Sequence, residues 1–299
     1  MNKLPTFLYE LLINQYGADI TNKIIDGYNV KRLTTLRVNT LKTDCFTVME
    51  KLDELGISYR RVDWYNDALI IEGNFDNTIR ESLMYQNGEI YLQSLSSMIP
   101  ALVLDPNKGE SILDMAAAPG GKTTQIVALS NNEALVTACE KNKIRAERLK
   151  YNLLKQSANR VGIIVNDALK LDDFLSFDKI LLDAPCSGTG TLSTEIDIEQ
   201  VCSMELIERS SNIQLKLLKK AIRLLKPGHE LVYSTCSILK SENEDIIKEV
   251  LKSNQVELVP IDKEKFNNIP FLPTELDFTM LVCPSELYEG FFVAKLRKK

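Results

Sequence analysis

The chain has 299 residues, 44% of them hydrophobic and 26% charged, with a formal net charge of −5 at pH 7. This is ordinary globular composition, enough for one large domain or for a medium domain with a smaller companion. No apolar run approaches the ~20 residues of a membrane-spanning helix, and Met1-Asn2-Lys3-Leu4-Pro5 does not open a signal peptide, so a cytoplasmic protein without membrane contact is expected.

Six cysteines, at 45, 139, 186, 202, 236 and 283, show neither paired-ligand spacing nor the density of a secreted framework. With His229 the only imidazole, no metal site is expected. The negative net charge argues mildly against nucleic acid, but its distribution is uneven. Lys141 to Arg160 holds seven Lys or Arg against one acid, Glu147, and the chain ends Lys295, Arg297, Lys298, Lys299. Such a run is either a solvated helix face or a phosphate contact, and charge by itself leaves both open.

Taken in order, residues 6–29 predict a helix with Leu8, Leu11, Leu12 and Tyr16 on one face. A strand is expected at Leu36–Leu41, a helix from about Thr43 to Leu55 ended by Gly56, and strands at Ile57–Val62 and Ala68–Glu72. This is a small α/β sheet with one helical face. From Ser111 the rhythm becomes strand–helix alternation. Strands are expected at Ile112–Met115, Ala134–Cys139, Gly162–Val165, Lys179–Leu182 and Glu230–Ser234, with the longest helix at Ser203–Leu225. That is the pattern of an open parallel sheet with helices on both faces, and Gly290–Leu296 predicts a last, antiparallel edge strand. Ligands of such sheets bind beyond the carboxyl ends of the strands, which selects the loops near Ala116, Glu140, Asp167, Asp183 and Thr235.

The first of these loops, Asp114-Met115-Ala116-Ala117-Ala118-Pro119-Gly120-Gly121-Lys122-Thr123, joins a strand to a helix through small residues that let backbone N–H groups approach a ligand. Glu140, closing the next strand, can accept both hydroxyls of a ribose. Together they point to a nucleoside cofactor. A phosphate-cradling ATPase loop is the rival, since Gly121-Lys122-Thr123 ends like one and Asp183 could hold magnesium. That motif needs glycine at position 116, where alanine stands, and three β-carbons would crowd the phosphates.

Cys186, in Asp183-Ala184-Pro185-Cys186-Ser187-Gly188, and Cys236, in Ser234-Thr235-Cys236-Ser237, follow neighbouring strands at the ligand side. Cys45, Cys139, Cys202 and Cys283 read instead as small buried hydrophobes. Two thiols beside a nucleoside-cofactor loop suit methylation at carbon 5 of a pyrimidine. That carbon is too weak a nucleophile until a thiolate adds to carbon 6. An acid near ring nitrogen 3, for which Asp183 is well placed, stabilises the developing charge, and a second thiol can assist the later elimination.

LDMAAAPGGKT (113–123), ILLDAPCSGTG (180–190), LVYSTCS (231–237) with ENE (242–244), and EGFFVAKL (289–296) resemble the Sun/nucleolar-protein family of RNA (cytosine-5)-methyltransferases. LRVNTLK (36–42) and YLQSLSSMIPALVLDP (91–106) are also similar to that family's segments, so the resemblance covers residues 30–299. It implies a Rossmann-like class I methyltransferase, a mostly parallel seven-stranded sheet, with a small N-terminal α/β domain. It implies that Cys236 is the nucleophile, that Cys186 assists product release and that Asp183 contacts the cytosine. S-adenosyl-L-methionine would be held by Ala116, Ala117, Ala118, Pro119, Gly120, Gly121 and Lys122 with Glu140, Arg145, Asp167 and Asp183.

Three positions depart from the family pattern. Thr194–Asp197 lacks an expected basic residue and proline, Gly228-His229 replaces a glycine pair, and Cys283-Pro284-Ser285 replaces a more basic segment. None removes a catalytic group, and all bear on the RNA surface. The expectation is an RNA-binding domain at 1–108 and a methyltransferase domain at 109–299, acting as a monomer on ribosomal RNA, with transfer RNA as the alternative substrate. DNA as substrate, a phosphate-loop ATPase and a non-catalytic ribosome-assembly factor are lesser alternatives.

Overall fold

The structure, a computed structural model, describes residues 4–193 and 198–299, so Thr194–Asp197 lies outside the described residues. The first sheet contains β1 (Thr35–Val38), β2 (Tyr59–Val62), β3 (Tyr65–Ile71) and β4 (Ile90–Leu92) in the order β2-β3-β1-β4, all antiparallel neighbours. The expected β1 was longer. It stops at Val38 because Asn39 turns its side-chain amide to the Gly88 and Gln156 carbonyls, at 2.8 and 2.9 Å. Three-residue β4 is too short to show any periodicity in sequence and was not expected.

Strand alternation buries this sheet on both faces. Leu36, Val38, Leu69 and Ile71 pack with Val48 and Leu52 of the helix Cys45–Glu54, whose N-terminus Asp44 caps through the Thr47 N–H. Ala68 and Ile70 face the other way, into a cluster shared with the helix Leu95–Leu104 and strands of the larger sheet. The same alternation turns Arg37 toward the second unit. The helix Thr6–Asn29 forms as expected, bent at Gly17, whose φ of +74° suits glycine. Its Leu8, Leu12, Ile24 and Tyr28 join a core cluster with Leu113, Ile180 and Tyr233 of the larger sheet.

The larger sheet contains β5 (Ser111–Asp114), β6 (Leu135–Cys139), β7 (Val161–Ile164), β8 (Phe177–Asp183), β9 (Leu225–Thr235), β10 (Val256–Val259), β11 (Met280–Val282) and β12 (Phe291–Lys298). Its order is β10-β12-β9-β8-β5-β6-β7, with β11 also pairing β12. β5 to β9 are parallel, and the chain leaves β5 in opposite directions, making a switch point between β5 and β8. One expectation is corrected. β12 is antiparallel but not an edge, because β9 flanks one side and β10 and β11 the other. Val293, Ala294 and Leu296 are fully buried there. No helix of the described residues is long and apolar enough to cross a membrane.

Candidate active site

Asp183 and Ser234 are register partners at the ends of parallel β8 and β9, so the segments that follow them leave the sheet side by side. The Ala184 N–H donates to the Ser234 carbonyl at 2.8 Å and the Gly190 N–H to the Cys236 carbonyl at 2.9 Å. Gly190 is required here, because a β-carbon would lie 2.0 Å from the Gly290 carbonyl oxygen. The two loops thus hold the Cys186 and Cys236 sulfurs 3.1 Å apart. The hydrogen bond to Cys236, together with burial, pushes the Cys186 thiol well above its ordinary range and keeps it protonated.

Beneath the cysteines lies Glu242, fully buried. Its carboxylate accepts the Ser187 N–H at 2.8 Å and the hydroxyls of Ser187 and Ser237 at 2.5 Å. Asn243 accepts from the Thr235 hydroxyl at 2.6 Å and donates to the Ser237 carbonyl at 2.9 Å. Glu242 thus locks one cysteine loop to the other, while Asn243 braces the Cys236 loop alone. Their stretch ENE had been visible in the sequence only as part of a resemblance, with no role.

Asp183 accepts from Lys122 Nζ at 2.7 Å on one oxygen and from the Ser234 hydroxyl at 2.7 Å on the other. Lys122 also donates to Ser97 Oγ at 2.8 Å. Burial alone would lower the Lys122 pKa, but the adjacent Asp183 carboxylate reverses this and the net shift is upward. Asp114, at the end of β5, accepts from the Thr123 hydroxyl at 2.7 Å, while its buried Oδ1 has no partner among the described residues. Burial raises the Asp114 carboxyl to about 6.

Two cavities meet at this point, sharing Ala116, Ala118, Asp183 and Cys236. One, of about 200 Å³, reaches Glu140, Arg145, Asp167 and Cys186 and has Ile213 and Leu217 in its wall. Glu140 accepts the Asn142 N–H on one oxygen at 2.8 Å, and its other oxygen has Arg145 at 3.8 Å. Arg145 donates to the Ala118 carbonyl at 2.6 Å, and Asp167 caps the following turn through the Leu169 N–H at 3.0 Å. The other cavity, of about 350 Å³, is bounded by Ala117, Pro119, Gly121 and Lys122 and by Tyr91, Ser97, Thr191 and Phe291. Gly120 lies behind the loop at φ +108°, where a β-carbon would meet Leu149 at 2.9 Å.

All the sequence-selected residues except Gly120 therefore line one or other of two cavities that meet at a single junction. Sequence reasoning gave no role to Tyr91, Ser97, Thr191, Glu289 and Phe291, although all but Thr191 lie in segments that carry the resemblance; two strands, a helix and two loops far apart in the chain bring them to the cavity. It also missed Arg37, fully buried, which donates to Gln93 Oε1 at 2.6 Å, the Gly121 carbonyl at 2.7 Å and Thr124 Oγ1 at 2.9 Å. Arg37 fastens the small sheet to the first turn of the helix Gly121–Leu129, directly after the β5 loop.

An open sheet switching at β5 and β8, with its residues of interest at the strand ends, defines a Rossmann-like class I methyltransferase fold carrying an N-terminal ferredoxin-like domain. Residues 101–297 match the family described as 16S rRNA methyltransferase RsmB/F, and residues 4–78 match its ferredoxin-like domain. The chain belongs to this RsmB/F family of the Sun group. It is 32% identical to the probable ribosomal RNA small subunit methyltransferase B of Bacillus subtilis over 99% of its length and 66% of that protein's. It is 36% identical to the ribosomal RNA small subunit methyltransferase F of Shewanella frigidimarina over 89% of its length, and spans 56% of that relative. The crystal structure of NSun6 from Pyrococcus horikoshii with SFG superimposes with a TM-score of 0.86 at 25% identity, 98% of each chain being covered. A methyltransferase homologue from Pyrococcus horikoshii does so with a TM-score of 0.83 at 30% identity, over 99% of this chain and 100% of the other.

Proposed function

We propose that the protein is an S-adenosylmethionine-dependent RNA (cytosine-5)-methyltransferase that acts on ribosomal RNA with Cys236 as its nucleophile. The observation that carries this reading is the Cys186–Cys236 pair, 3.1 Å apart and beside Asp183 where the two cavities join. The names of the Bacillus subtilis and Shewanella frigidimarina relatives, both ribosomal RNA small subunit methyltransferases, support the substrate class.

The donor set fits the cofactor. Glu140 has an oxygen available for ribose hydroxyls, and Ile213 and Leu217 offer an apolar wall for adenine. Arg145 and Asp167 shape that cavity, and Ala116 and Ala118 let it open toward the second one. When bound, S-adenosylmethionine supplies an electrophilic methyl group. A phosphate-loop ATPase is disfavoured by Lys122, whose ammonium is already engaged by Asp183 and Ser97.

In this reading the base enters the larger cavity and the Cys236 thiolate bonds to carbon 6. Electron density moves into the ring, where the Lys122–Asp183 pair stabilises it at nitrogen 3 by sharing a proton. Carbon 5 is then nucleophilic. After methylation a base removes the carbon-5 proton, the electron pair reforms the ring double bond, and the Cys236 sulfur leaves. Cys186, held as a thiol against that sulfur, donates a hydrogen bond to it as it leaves, so that Cys236 is released as the thiolate with which the cycle began. Residues 1–108 serve RNA binding and 109–299 catalysis, with Thr6–Asn29 reaching across to the larger core.

The test is methyl transfer from labelled S-adenosylmethionine to small-subunit ribosomal RNA, followed by nucleoside analysis. Label in 5-methylcytidine is expected. Label in another nucleoside, or in none, overturns the reading.

A further inference from the structure

The basic helix Lys143–Lys155 leads away from the catalytic junction. Its residues 145, 148, 152 and 155 follow helical spacing along one face. Arg145 serves the cofactor-side cavity, while Arg148, Asn152 and Lys155 line a separate groove of about 450 Å³. The opposite wall of this groove comes from the small sheet and its short helices, through Arg80, Tyr85 and Tyr91. Lys155 Nζ lies 3.8 Å from the centre of the Tyr85 ring, and the Arg80 guanidinium 5.9 Å from it.

Three features give the groove its chemistry. It has three cations and no acid in its lining, although the whole chain is net negative. Arg80, Arg148 and Lys155 form no ion pair among the described residues. Burial, with Lys42 nearby, lowers the Lys155 pKa, so like charge is gathered here without an internal counterion. The groove is also continuous with the larger catalytic cavity, because Tyr91, Leu92 and Pro119 line both.

Resting on the activity proposed above, we propose that this groove carries the sugar–phosphate backbone of the unpaired RNA that flanks the target cytosine. A base beside Cys236 must leave any stack, which costs least when its neighbours are already single-stranded. Cations interleaved with aromatic rings are what such a strand requires. The two parts of the protein form the track jointly, and neither wall alone would hold it.

The experiment measures binding of the full chain to a short single-stranded oligoribonucleotide containing one cytosine, across a salt series. Each phosphate contact contributes about 0.7 to the slope of log affinity against log salt for single strands. Replacing Arg80, Arg148 and Lys155 together by Gln should flatten that slope by about 2. S-adenosylmethionine binding and thermal melting should not change. A control triple, Lys219, Arg223 and Lys252 to Gln, lies around the helices Met204–Leu224 and Glu244–Leu251 and should keep the wild-type slope. If the groove triple unfolds, exposed Arg148→Gln alone should flatten the slope by about 0.7. An unchanged slope and affinity in the groove variant, with wild-type protein still methylating RNA, overturns the groove and leaves the activity standing. Wild-type protein that neither binds nor methylates RNA overturns both.

Discussion

The sulfur of Cys186 lies 3.1 Å from that of Cys236, although fifty residues separate them in the chain. Their asymmetry gives the first expected outcome. Cys236→Ala removes the group proposed to bond to carbon 6, so it should lose methylation and form no RNA adduct. Cys186→Ala should still add and transfer but eliminate slowly, accumulating an adduct that survives denaturing electrophoresis. The double variant should show none. An adduct with Cys236→Ala and not with Cys186→Ala would reverse the two roles.

Asp183→Asn keeps the shape at the end of β8 and removes the charge that Lys122 balances at 2.7 Å. Preorganised charge of this kind is worth ~10²–10³ in rate. Single-turnover methylation should fall by roughly that factor, with S-adenosylmethionine affinity much less affected. A near wild-type rate would remove Asp183 from the mechanism.

Glu140→Ala removes the carboxylate expected to accept ribose hydroxyls. With hydrogen bonds to a charged group worth ~1.5–3 kcal/mol, S-adenosylmethionine should bind about ten- to a hundred-fold more weakly by calorimetry. ATP should not bind comparably to either protein. Unchanged cofactor affinity in the variant would move the ribose site elsewhere.

Asp114 supplies a pH signature. Burial raises its carboxyl to about 6, so the folded protein holds that proton more tightly than the unfolded chain. The stabilisation this provides is complete below the ordinary carboxylate range and is lost as pH rises through about 6. Asp114→Asn cannot ionise and keeps an acceptor for Thr123. In denaturant titrations the wild type should therefore lose about 2 kcal/mol relative to the variant between pH 4 and pH 7. A constant difference across that range would show that Asp114 does not titrate there.

The sequence by itself determined the parallel strand–helix rhythm, because apolar strands and capped helices write their periods locally. It also singled out the loops proposed to carry the chemistry, since small residues, strand-end acids and cysteines beside Pro, Ser and Gly are rare in core packing. What it left open were relations between distant segments. Parallel register of β8 with β9, and the packing of Gly190 on Gly290, decide that the two thiols touch. Whether β12 is an edge depended on β10 and β11, short strands whose identity comes from their partner and not from their own pattern. Lys122 could be read only as part of a loop until the end of β8 brought Asp183 to its ammonium. The same holds for the basic helix. Its charges are plain in sequence, but only the small sheet packed opposite it makes them one wall of a groove, because a ligand is gripped by surfaces that face each other and linear order does not encode facing.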